Sequence, residues 1–459
     1  MLSFVQNMFA RSVNPIGVDF GSDCLRLAQV APAGGGEYKL IAAASADVPN
    51  HVRHDPAGRI NFFIETTKEL LSSGKFRNRQ ACLGLPASMM FIQHLRMPKL
   101  DAEAMKKALP WELRGKLPID PSHALLRHII AGDVFDGQEP KDEVIVMAAA
   151  KETVNAFLAA AAKAKLDIVG MNVEPKALVD CFTNVYRRKN DENAMNCFVD
   201  IGCVATRCVI ARGNEIYFAR TIPVGGDHFS RATANALKIK LDDAKLLRVR
   251  IAQMAASGGA APTADEKPQA VLSPTRNDAV SVDNSFALLS ASVPPSERRV
   301  EATPPAAAAA AAAEGAAAAG DLSGETAGAV DAELLKQAKL VEAACKDPLG
   351  RLIDELELCR RYYESTFPKT PIDRLVFIGG EARQKSLCQQ IARRMALAAQ
   401  VGDPMVRLNK NSDMGIDNGI DRRQPQPGWA VAIGLSMGPS GSTAGGAAAA
   451  ASRAEAVKA

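Results

Sequence analysis

Two short segments of the sequence carry residues whose types and spacing suit the binding of phosphate. The first, IGVDFGSDCLRLA (residues 16–28), places a carboxylate at Asp19, small residues at Gly21 and Ser22, and a cation at Arg26. A turn of small residues presents backbone N–H groups to phosphate oxygens, and glycine permits close approach of the chain. Ser22 adds a hydroxyl donor, and Arg26 adds a charge that neutralises phosphate. The pattern predicts an anion-binding hairpin, while Asp-x-Gly alone is also typical of an ordinary turn.

The second segment, FVDIGCVATRCVIARGNEI (residues 198–216), repeats this order of strand, Asp-x-Gly, small turn and strand. Its candidate binding residues are Asp200, Gly202 and Thr206. Two such hairpins predict two related halves that face each other. A carboxylate repels phosphate, so we expect Asp19 and Asp200 to hold Mg²⁺ through water, since Mg²⁺ keeps several waters and takes few protein carboxylates.

The surrounding sequence alternates between strand and helix patterns. Strand patterns cover residues 16–20, 24–30, 80–85, 144–149, 196–201, 207–211, 215–223 and 374–378. Helix patterns cover residues 60–73, 101–109, 151–164, 177–188, 226–237, 242–255 and 387–395, and a long helical hairpin is predicted before the last strand. Strands that alternate with helices favour an α/β architecture.

Length, charge and cysteine usage exclude several classes of protein. The 459 residues suffice for two or three domains, and a net charge of +4 gives no sign of the basic face that nucleic-acid binding requires. No apolar run approaches the roughly 18 to 20 residues that span a bilayer. The nine cysteines form no CxxC pair and the six histidines share no ligand spacing, so we expect reduced thiols and a cytoplasmic protein.

Two segments have compositions that cannot form a packed core. Residues 255–330 collapse to Ala, Gly, Pro, Ser and charged residues, and we expect a disordered insert there. Residues 438–459 form a second segment of this kind, and residues 1–12 are expected to be a frayed tail. Because long surface loops add closure entropy only slowly, the insert is expected to be dispensable for folding.

Three motifs taken together resemble the actin, Hsp70 and sugar kinase superfamily. DFGSDCLR (residues 19–26) resembles its first phosphate loop, with arginine where the family usually has lysine, and DIGCVAT (residues 200–206) resembles its second. FIGGEARQ (residues 377–384), with Gly379 and Gly380, resembles its adenosine loop. The resemblance implies an actin-like, two-lobed fold with nucleotide between the lobes, and hence ATP and Mg²⁺ as cofactors.

The match narrows to the FtsA and PilM branch of that superfamily. Residues 83–120 contain a strand ending in Pro-x-Ser, then Leu-x-x-Pro-like and Trp-Glu elements, and residues 143–180 continue the pattern. Residues 221–248 resemble the PilM stretch in which Gly-Gly opens a helix, and residues 427–437 resemble its closing helix. The chain is identified as PilM-like, which implies an FtsA/PilM-type inserted subdomain and a long disordered loop.

This resemblance gives predicted domain boundaries. The first actin-like lobe would comprise residues 13–90 and 168–195, the inserted subdomain residues 91–167, and the second lobe residues 196–254 and 331–437. The tails and the insert described above lie outside these domains.

The resemblance also implies roles for individual residues. Glu174 matches the glutamate that positions the attacking water in MreB-like relatives, although an acid beside Pro175 is also an ordinary start to a helix. Gly225 and Gly226 fit a loop approaching the nucleoside. Two further candidates depart from the usual residues for nucleoside binding: Lys245, where relatives often have glutamate, and Arg248, where they have lysine.

Departures in the phosphate loops weaken the expected grip on phosphate. Asp23 adds negative charge next to the first loop, and Val204 and Ala205 replace smaller or hydroxylic residues in the second. The enzyme assignment is therefore open, with a slow ATPase as the upper limit.

The function that the resemblance favours is a cytoplasmic adaptor of a type IV pilus or related secretion machine. It would bind ATP and dock the cytoplasmic N-terminal peptide of a PilN-like inner-membrane protein beside the inserted subdomain. Trp111 and Met97 are the candidates to line that groove, although ordinary core packing is the favoured interpretation for each residue taken alone. Other pilus components are expected as partners, the protein would be peripheral at the inner membrane, and a homo-oligomer stays open.

Two other functions remain as alternatives. An FtsA-like self-assembling cell-division protein would need an amphipathic membrane helix, and residues 438–459 lack the apolar anchors for one. An active ATPase or small-molecule kinase of the same superfamily would need an acceptor site, which no motif in the sequence marks.

Overall fold

Residues 13–187, 191, 193–257, 325–409 and 416–438 are described in the computed structural model of the chain. They divide into two compact units. The first holds residues up to Asp227 together with Arg351–Arg383 and the residues from Leu387 onward. The second holds His228–Gly350 and Gln384–Ser386.

Sixteen strands are found among the described residues. In chain order, β1 to β8 are Ile16–Phe20, Cys24–Gly34, Glu37–Asp47, Gln80–Leu85, Phe91–Pro98, Ala124–Asp136, Glu139–Ala150 and Asp167–Val173. Strands β9 to β16 are Met195–Ile201, Thr206–Arg212, Glu215–Ile222, Arg374–Ile378, Ala398–Val401, Leu408–Asn409, Ile416–Asp417 and Ile420–Asp421.

The α-helices of the described residues connect these strands. Helices α1 to α6 are Asn50–Arg53, Pro56–Ser73, Ala102–Glu112, Lys151–Lys163, Glu174–Val185 and Gly226–Leu237. Helices α7 to α11 are Leu241–Ser257, Glu325–Ala344, Lys346–Thr366, Lys385–Met395 and Ala430–Met437.

Two mixed sheets of the first unit carry the two Asp-x-Gly hairpins. The six-stranded sheet has the order β14-β3-β2-β1-β4-β8, and the five-stranded sheet has the order β11-β10-β9-β12-β13. Strands β1 and β9 each have a hydrogen-bonded neighbour on both sides, and all of their residues are buried. Strands buried on both faces read as continuous apolar runs, which explains the composition of both segments.

Helix α11 holds the first hairpin against helix α5. A Cβ atom on Gly17 would collide with the carbonyl oxygen of Ala432, and one on Gly434 would collide with that of Ala177. Both glycines therefore let α11 lie directly against β1 and α5. Ser436 Oγ donates to the Pro15 carbonyl at 2.7 Å and accepts from the Val30 N–H at 3.0 Å, which fixes α11 at both β1 and β2.

A third sheet of order β5-β7-β6 lies between β4 and β8 in the chain, and helix α3 covers it. Its core includes Leu95, Met105, Leu109 and Val144. Met97 is buried in the same core, so the favoured interpretation of core packing is confirmed for it and it does not line a surface groove. Trp111 at the end of α3 is 66% exposed.

Glu143 on β7 is fully buried and has partners on two other elements. His94 Nδ1 lies 2.9 Å from its Oε1, and the Tyr362 hydroxyl on α9 donates to the same oxygen at 2.6 Å. Arg96 Nε lies 3.8 Å from Oε2. We call His94, Arg96, Glu143 and Tyr362 the Glu143 cluster, and it ties the inserted sheet to helix α9.

The second unit has its own buried polar contacts. Arg248 on α7 is buried, and its Nη1 donates to Ser230 Oγ at 3.0 Å. Its guanidinium carbon lies 5.3 Å from the ring centre of Phe229. The Arg248 carbonyl accepts from Gln384 Nε2 at 3.4 Å.

The α/β class and most strand and helix predictions are confirmed. Strands β1, β4 and β12 and helix α6 have the predicted bounds, and α8 and α9 form the predicted helices before β12. The sequence reading missed strands β3, β5, β6, β8 and β13 to β16. Helix α5 begins at Glu174, three residues before the predicted start, because Pro175 suits the first helical turn.

Most of the expected disordered insert and both expected tails lie outside the described residues. At the edges of the insert, α7 continues to Ser257 and α8 begins at Glu325, so residues 255–257 and 325–330 are helical. Within the described part of the chain, no helix is both long and apolar enough to cross a membrane.

Candidate functional site

The first hairpin pairs a carboxylate with a cation across the strands. Asp19 on β1 lies directly opposite Arg26 on β2, and Arg26 Nη1 is 3.9 Å from Asp19 Oδ2. Burial raises the pKa of Asp19 to about 6, the charges of Arg26 and Arg207 oppose that rise, and the charge of Asp200 adds to it. The two Asp-x-Gly carboxylates therefore lie within electrostatic range of each other.

The second hairpin repeats this pair with closer contact. Asp200 on β9 lies opposite Arg207 on β10, and Asp200 Oδ2 accepts from Arg207 Nε at 2.8 Å and lies 2.7 Å from Nη2. Two guanidinium nitrogens thus converge on one buried carboxylate oxygen. Burial lowers the pKa of Arg207, but the charges of Asp200 and Glu174 outweigh this effect and raise it, so Arg207 is a permanent cation.

Glu174 joins the second hairpin through the same arginine. It begins helix α5, it is 3% exposed, and its Oε2 lies 2.9 Å from Arg207 Nη1. This contact is an ion pair without hydrogen-bond alignment, since Oε2 has no hydrogen-bond donor among the described residues. Burial raises the pKa of Glu174 to about 7, while Arg207 and a backbone hydrogen bond from Ala87 act against the rise.

The start of helix α6 closes the second turn. The N–H of Gly226 donates to the Gly202 carbonyl at 2.9 Å, and that of Asp227 donates to the Cys203 carbonyl at 2.7 Å. Thr206 Oγ1 donates to the Val224 carbonyl at 2.7 Å. The predicted residues Gly202, Thr206, Gly225 and Gly226 therefore lie together, and some of their polar groups are engaged within the protein.

The predicted loop glycines differ in what lies over them. A Cβ on Gly202 would lie 3.2 Å from Arg207 Nη2, so the guanidinium covers that glycine. Gly379 has φ +86°, and a Cβ there would collide with Asp200 Oδ1. A Cβ on Gly225 would collide with the backbone of the second turn, and one on Gly226 would collide with the Glu381 carboxylate. A Cβ on Gly380 would have nothing within 4 Å.

The first turn is supported by cations that the sequence reading did not single out. Arg59 on α2 donates to the carbonyls of Gly21 at 3.1 Å and Ser22 at 3.0 Å, and its guanidinium lies 4.4 Å from the ring centre of Phe20. Arg53 Nη1 lies 3.7 Å from Asp227 Oδ1. Both arginines add positive charge near turns predicted to bind phosphate, and their scattered positions in the sequence gave no signal.

Most predicted site residues lie in the first unit, but Lys245 and Arg248 do not. These two belong to the second unit, where the contacts of Arg248 with Ser230 and Gln384 are as given above. Their predicted contact with the nucleoside stays a prediction. So do the assigned roles of the other candidates: Asp19, Gly21, Ser22, Arg26, Glu174, Asp200, Gly202, Thr206, Gly225, Gly226, Gly379 and Gly380.

Arg207 is the functional candidate that the sequence reading missed. The signal was present, because DFGSDCLR and DIGCVATR share the pattern Asp-x-Gly-x-x-x-x-Arg. In a tight antiparallel hairpin this spacing places the arginine opposite the aspartate, as both registers show. The second arginine could therefore have been read as the counterpart of the first.

The residues fit a phosphate-bearing ligand better than they fit a metal ion. Arg26 and Arg207 supply positive charge, and the amides of small residues line both turns. The carboxylates expected to hold Mg²⁺ through water are instead ion-paired with these arginines. No group of three or more His, Cys, Asp or Glu side chains in the described residues has an arrangement that could hold a metal ion.

Two sheets that each carry an Asp-x-Gly hairpin, with a third sheet inserted into the first, define an actin-like protein. The model of the type IV pilus assembly protein PilM family matches residues 17–253, and that of the cell division protein FtsA family matches residues 197–434. The chain belongs to the PilM family of type IV pilus assembly proteins.

Solved structures are similar to the chain at low sequence identity, and the first of the following two shows the same fold. The "PilM-PilN type IV pilus biogenesis complex" is 18% identical, covers 93% of this chain and 98% of that one, and has a TM-score of 0.61. The ethanolamine utilization protein EutJ from Carboxydothermus hydrogenoformans is 12% identical, covers 95% and 96%, and has a TM-score of 0.43. Among curated protein sequences, none matches the chain at a significant level.

Proposed function

We propose that this protein is an actin-like adaptor of a type IV pilus or related secretion machine. It binds ATP between its phosphate loops and docks the cytoplasmic peptide of a PilN-like inner-membrane protein, which makes it peripheral at that membrane. Membership of the PilM family and the similarity to a PilM chain solved with PilN support this proposal.

The observation that carries the docking proposal is the exposed apolar surface of the inserted subdomain. Trp111 is 66% exposed and Phe135 69% exposed, although both belong to a subdomain with a well-packed core. The Arg114 guanidinium lies 3.9 Å from the Trp111 ring centre, which holds the indole in place on the surface. Exposed tryptophans are common hot spots of interfaces, so Trp111 is the proposed anchor for the partner peptide.

The two tryptophans of the chain make the docking directly measurable. Trp111 is exposed, whereas Trp429 is buried in the core, so only the fluorescence of Trp111 responds to a ligand on the surface. A synthetic peptide with the N-terminal cytoplasmic sequence of a PilN-like protein should shift the Trp111 emission to the blue in a saturable manner.

Variants show whether the contact contributes to affinity. Trp111→Ala should weaken peptide binding, measured by calorimetry, by about 30-fold, the effect of losing one hot spot of roughly 2 kcal/mol. Val406→Ala is the matched control, since Val406 is a 65% exposed apolar residue outside the inserted subdomain. Equal affinity of the wild type and Trp111→Ala would place the peptide elsewhere and refute this docking surface.

ATP is the proposed nucleotide ligand, and its effect is expected to be stabilisation rather than rapid turnover. A ligand that binds only the folded state raises the unfolding midpoint by mass action. The double variant Asp19→Ala with Asp200→Ala should lose the ATP-induced rise in that midpoint, because the two carboxylates hold Arg26 and Arg207 in position at the turns. As a control, the thermal midpoint of the variant without ATP is compared with that of the wild type, which shows whether the substitutions damage the fold itself.

A slow ATPase is the second candidate function, and one observation favours it. Burial raises the pKa of Glu174 to about 7, close to the value that suits a general base at neutral pH. The ion pair with Arg207 acts in the other direction, because it holds Glu174 as a structural partner. Phosphate release that vanishes in Glu174→Gln would establish the ATPase. Equal release from both proteins would contradict a catalytic role of Glu174 and leave the adaptor as the proposed function.

A further inference from the structure

The two hairpins each carry their own counter-ion. Arg26 lies opposite Asp19 and Arg207 lies opposite Asp200, at equivalent positions of an Asp-x-Gly-x-x-x-x-Arg pattern. The pairs differ in tightness, since the shortest N–O distance is 3.9 Å in the first and 2.7 Å in the second. The second arginine is therefore the more firmly bound of the two.

Arg207 lies at the point where the site's negative charges meet. Its guanidinium contacts Asp200 and Glu174 on separate elements, lies over Gly202 and opposes the charge of Asp19. Its side chain is only 15% exposed, so water screens these interactions little. A single cation thus compensates carboxylates from β9 and α5 and influences one from β1.

A divalent ion would compete with this guanidinium for the same carboxylates. Mg²⁺ is held through carboxylate oxygens and retained waters, and Asp200 Oδ2 already accepts from Arg207. A second cation beside Arg26 and Arg207 would also be repelled by both, because like charges in a poorly solvated site interact strongly. Phosphate has the opposite preference, since guanidinium groups bind its oxygens directly.

We propose that Arg207 is the cation of this site in place of a divalent metal ion, so that a phosphate-bearing ligand binds there without Mg²⁺. The nucleotide part of this inference rests on the proposed ATP binding, whereas the exclusion of the metal does not. This proposal is the opposite of the expectation from the sequence, in which Asp19 and Asp200 hold Mg²⁺ through water.

The first experiment uses the metal alone on the full-length chain. Mn²⁺, a paramagnetic substitute for Mg²⁺, is titrated into the wild type and into Arg207→Gln, with bound metal followed by electron paramagnetic resonance. The wild type should show no saturable binding, and Arg207→Gln should bind Mn²⁺ at least about tenfold more tightly because the competing charge is gone. Adding Asp200→Asn to Arg207→Gln should abolish the gained binding.

The controls separate the charge of Arg207 from its bulk and from general surface effects. Arg207→Lys keeps the charge and should bind Mn²⁺ as poorly as the wild type. Arg212→Gln removes an arginine from the other end of β10, where it pairs with Glu215, and should also change nothing. If Arg207→Gln does not fold, the wild type and Arg207→Lys still decide the question. Saturable Mn²⁺ binding by the wild type that is lost in Asp200→Asn would overturn the proposal.

The second experiment adds the nucleotide. ATP should raise the thermal midpoint of the wild type equally in EDTA and in Mg²⁺, whereas Arg207→Gln should respond only when Mg²⁺ is present. A wild-type response that disappears in EDTA overturns the proposal. No response to ATP in any buffer refutes nucleotide binding, and the Mn²⁺ titration then decides the role of Arg207 separately.

Discussion

Glu143 and Glu174 are both almost fully buried, yet the protein accommodates their charges in different ways. Glu143 has donors from β5 and α9, and two of them meet on its Oε1 at 2.9 and 2.6 Å. Glu174 has an ion pair with Arg207, and Oε2 of both carboxylates lacks an aligned hydrogen-bond donor in the described part of the chain, so what sets Glu143 apart is the pair of side-chain contacts on its Oε1. The first arrangement suits a fixed structural junction, and the second suits a site that changes when a ligand arrives.

The aromatic surroundings reinforce this difference. His94 stacks on Phe218 with ring centres 4.8 Å apart and meets Tyr362 edge-on at 5.3 Å, so the Glu143 cluster is packed as well as bonded. The Nε2 atom of His94 also lies 3.1 Å from the Ala219 carbonyl oxygen. Contacts of this kind, which engage both ring nitrogens of His94 and the Oε1 atom of Glu143, rigidify a structure.

The largest expected effect comes from breaking the Glu143 cluster. Glu143→Ala should lower the free energy of unfolding by about 3 to 5 kcal/mol, because it removes a fully buried carboxylate and leaves the half-buried His94 and the partly exposed Tyr362 without their acceptor. Urea denaturation followed by Trp429 fluorescence measures this change in the first unit. Glu139→Ala on the same strand is the control, since Glu139 is exposed and should cost less than about 0.5 kcal/mol. Similar losses from both variants would show that Glu143 has no special role.

The next effect is that of Arg207 on stability. Arg207→Gln should cost roughly 2 to 4 kcal/mol at pH 8, because Asp200 and Glu174 are then buried without their cation. At pH 5 the loss should be smaller, since the raised pKa of Glu174, about 7, allows it to become neutral there. Urea denaturation at the two pH values provides the test, with Arg212→Gln as the control. A loss that does not depend on pH would contradict the charge argument.

Glu174 itself should make stability depend on pH in a defined direction. Its pKa is about 7 in the folded protein against an ordinary value of 4.5, so the unfolded chain gives up its proton first as pH rises. Folding stability contributed by this group should therefore be complete below pH 4.5 and fall by roughly 3 kcal/mol by pH 7. The difference between wild type and Glu174→Gln in urea unfolding across this range isolates the effect. A difference that is flat, or that rises with pH, would contradict it.

The smallest expected effect sharpens the comparison within the Glu143 cluster. Tyr362→Phe removes one donor while His94 still bonds Glu143, so the cost should be about 1.5 kcal/mol, the low end for a hydrogen bond to a charged group because Tyr362 is partly exposed. Urea denaturation measures the change. Tyr38→Phe, on a half-buried tyrosine of β3, is a matched control that should change little. A loss as large as that of Glu143→Ala would mean that the hydroxyl, and not the histidine, holds the junction.

The sequence identified the hairpin region far better than the Glu143 cluster. Asp19, Gly21 and Arg26 lie within one short segment, so their proximity follows from a local turn. The residues of the Glu143 cluster come from β5, β7 and α9, and two of those elements were missed or only partly predicted. Strand β5 carries polar residues such as Gln93, His94 and Arg96 at positions that an alternating pattern would not assign to a buried junction.

By itself, the sequence determined the α/β class, the family, the two Asp-x-Gly turns and the bounds of the strongly apolar strands, because these depend on local spacing and backbone preference. It even contained the repeated Asp-x-Gly-x-x-x-x-Arg pattern that places Arg207 opposite Asp200. Only the tertiary structure decided that Arg207 also reaches Glu174, that Met97 is buried while Trp111 is exposed, and that Glu143 bonds Tyr362. Each of these depends on how separate elements pack, and the burial and charge compensation that packing creates exist only once the chain has folded.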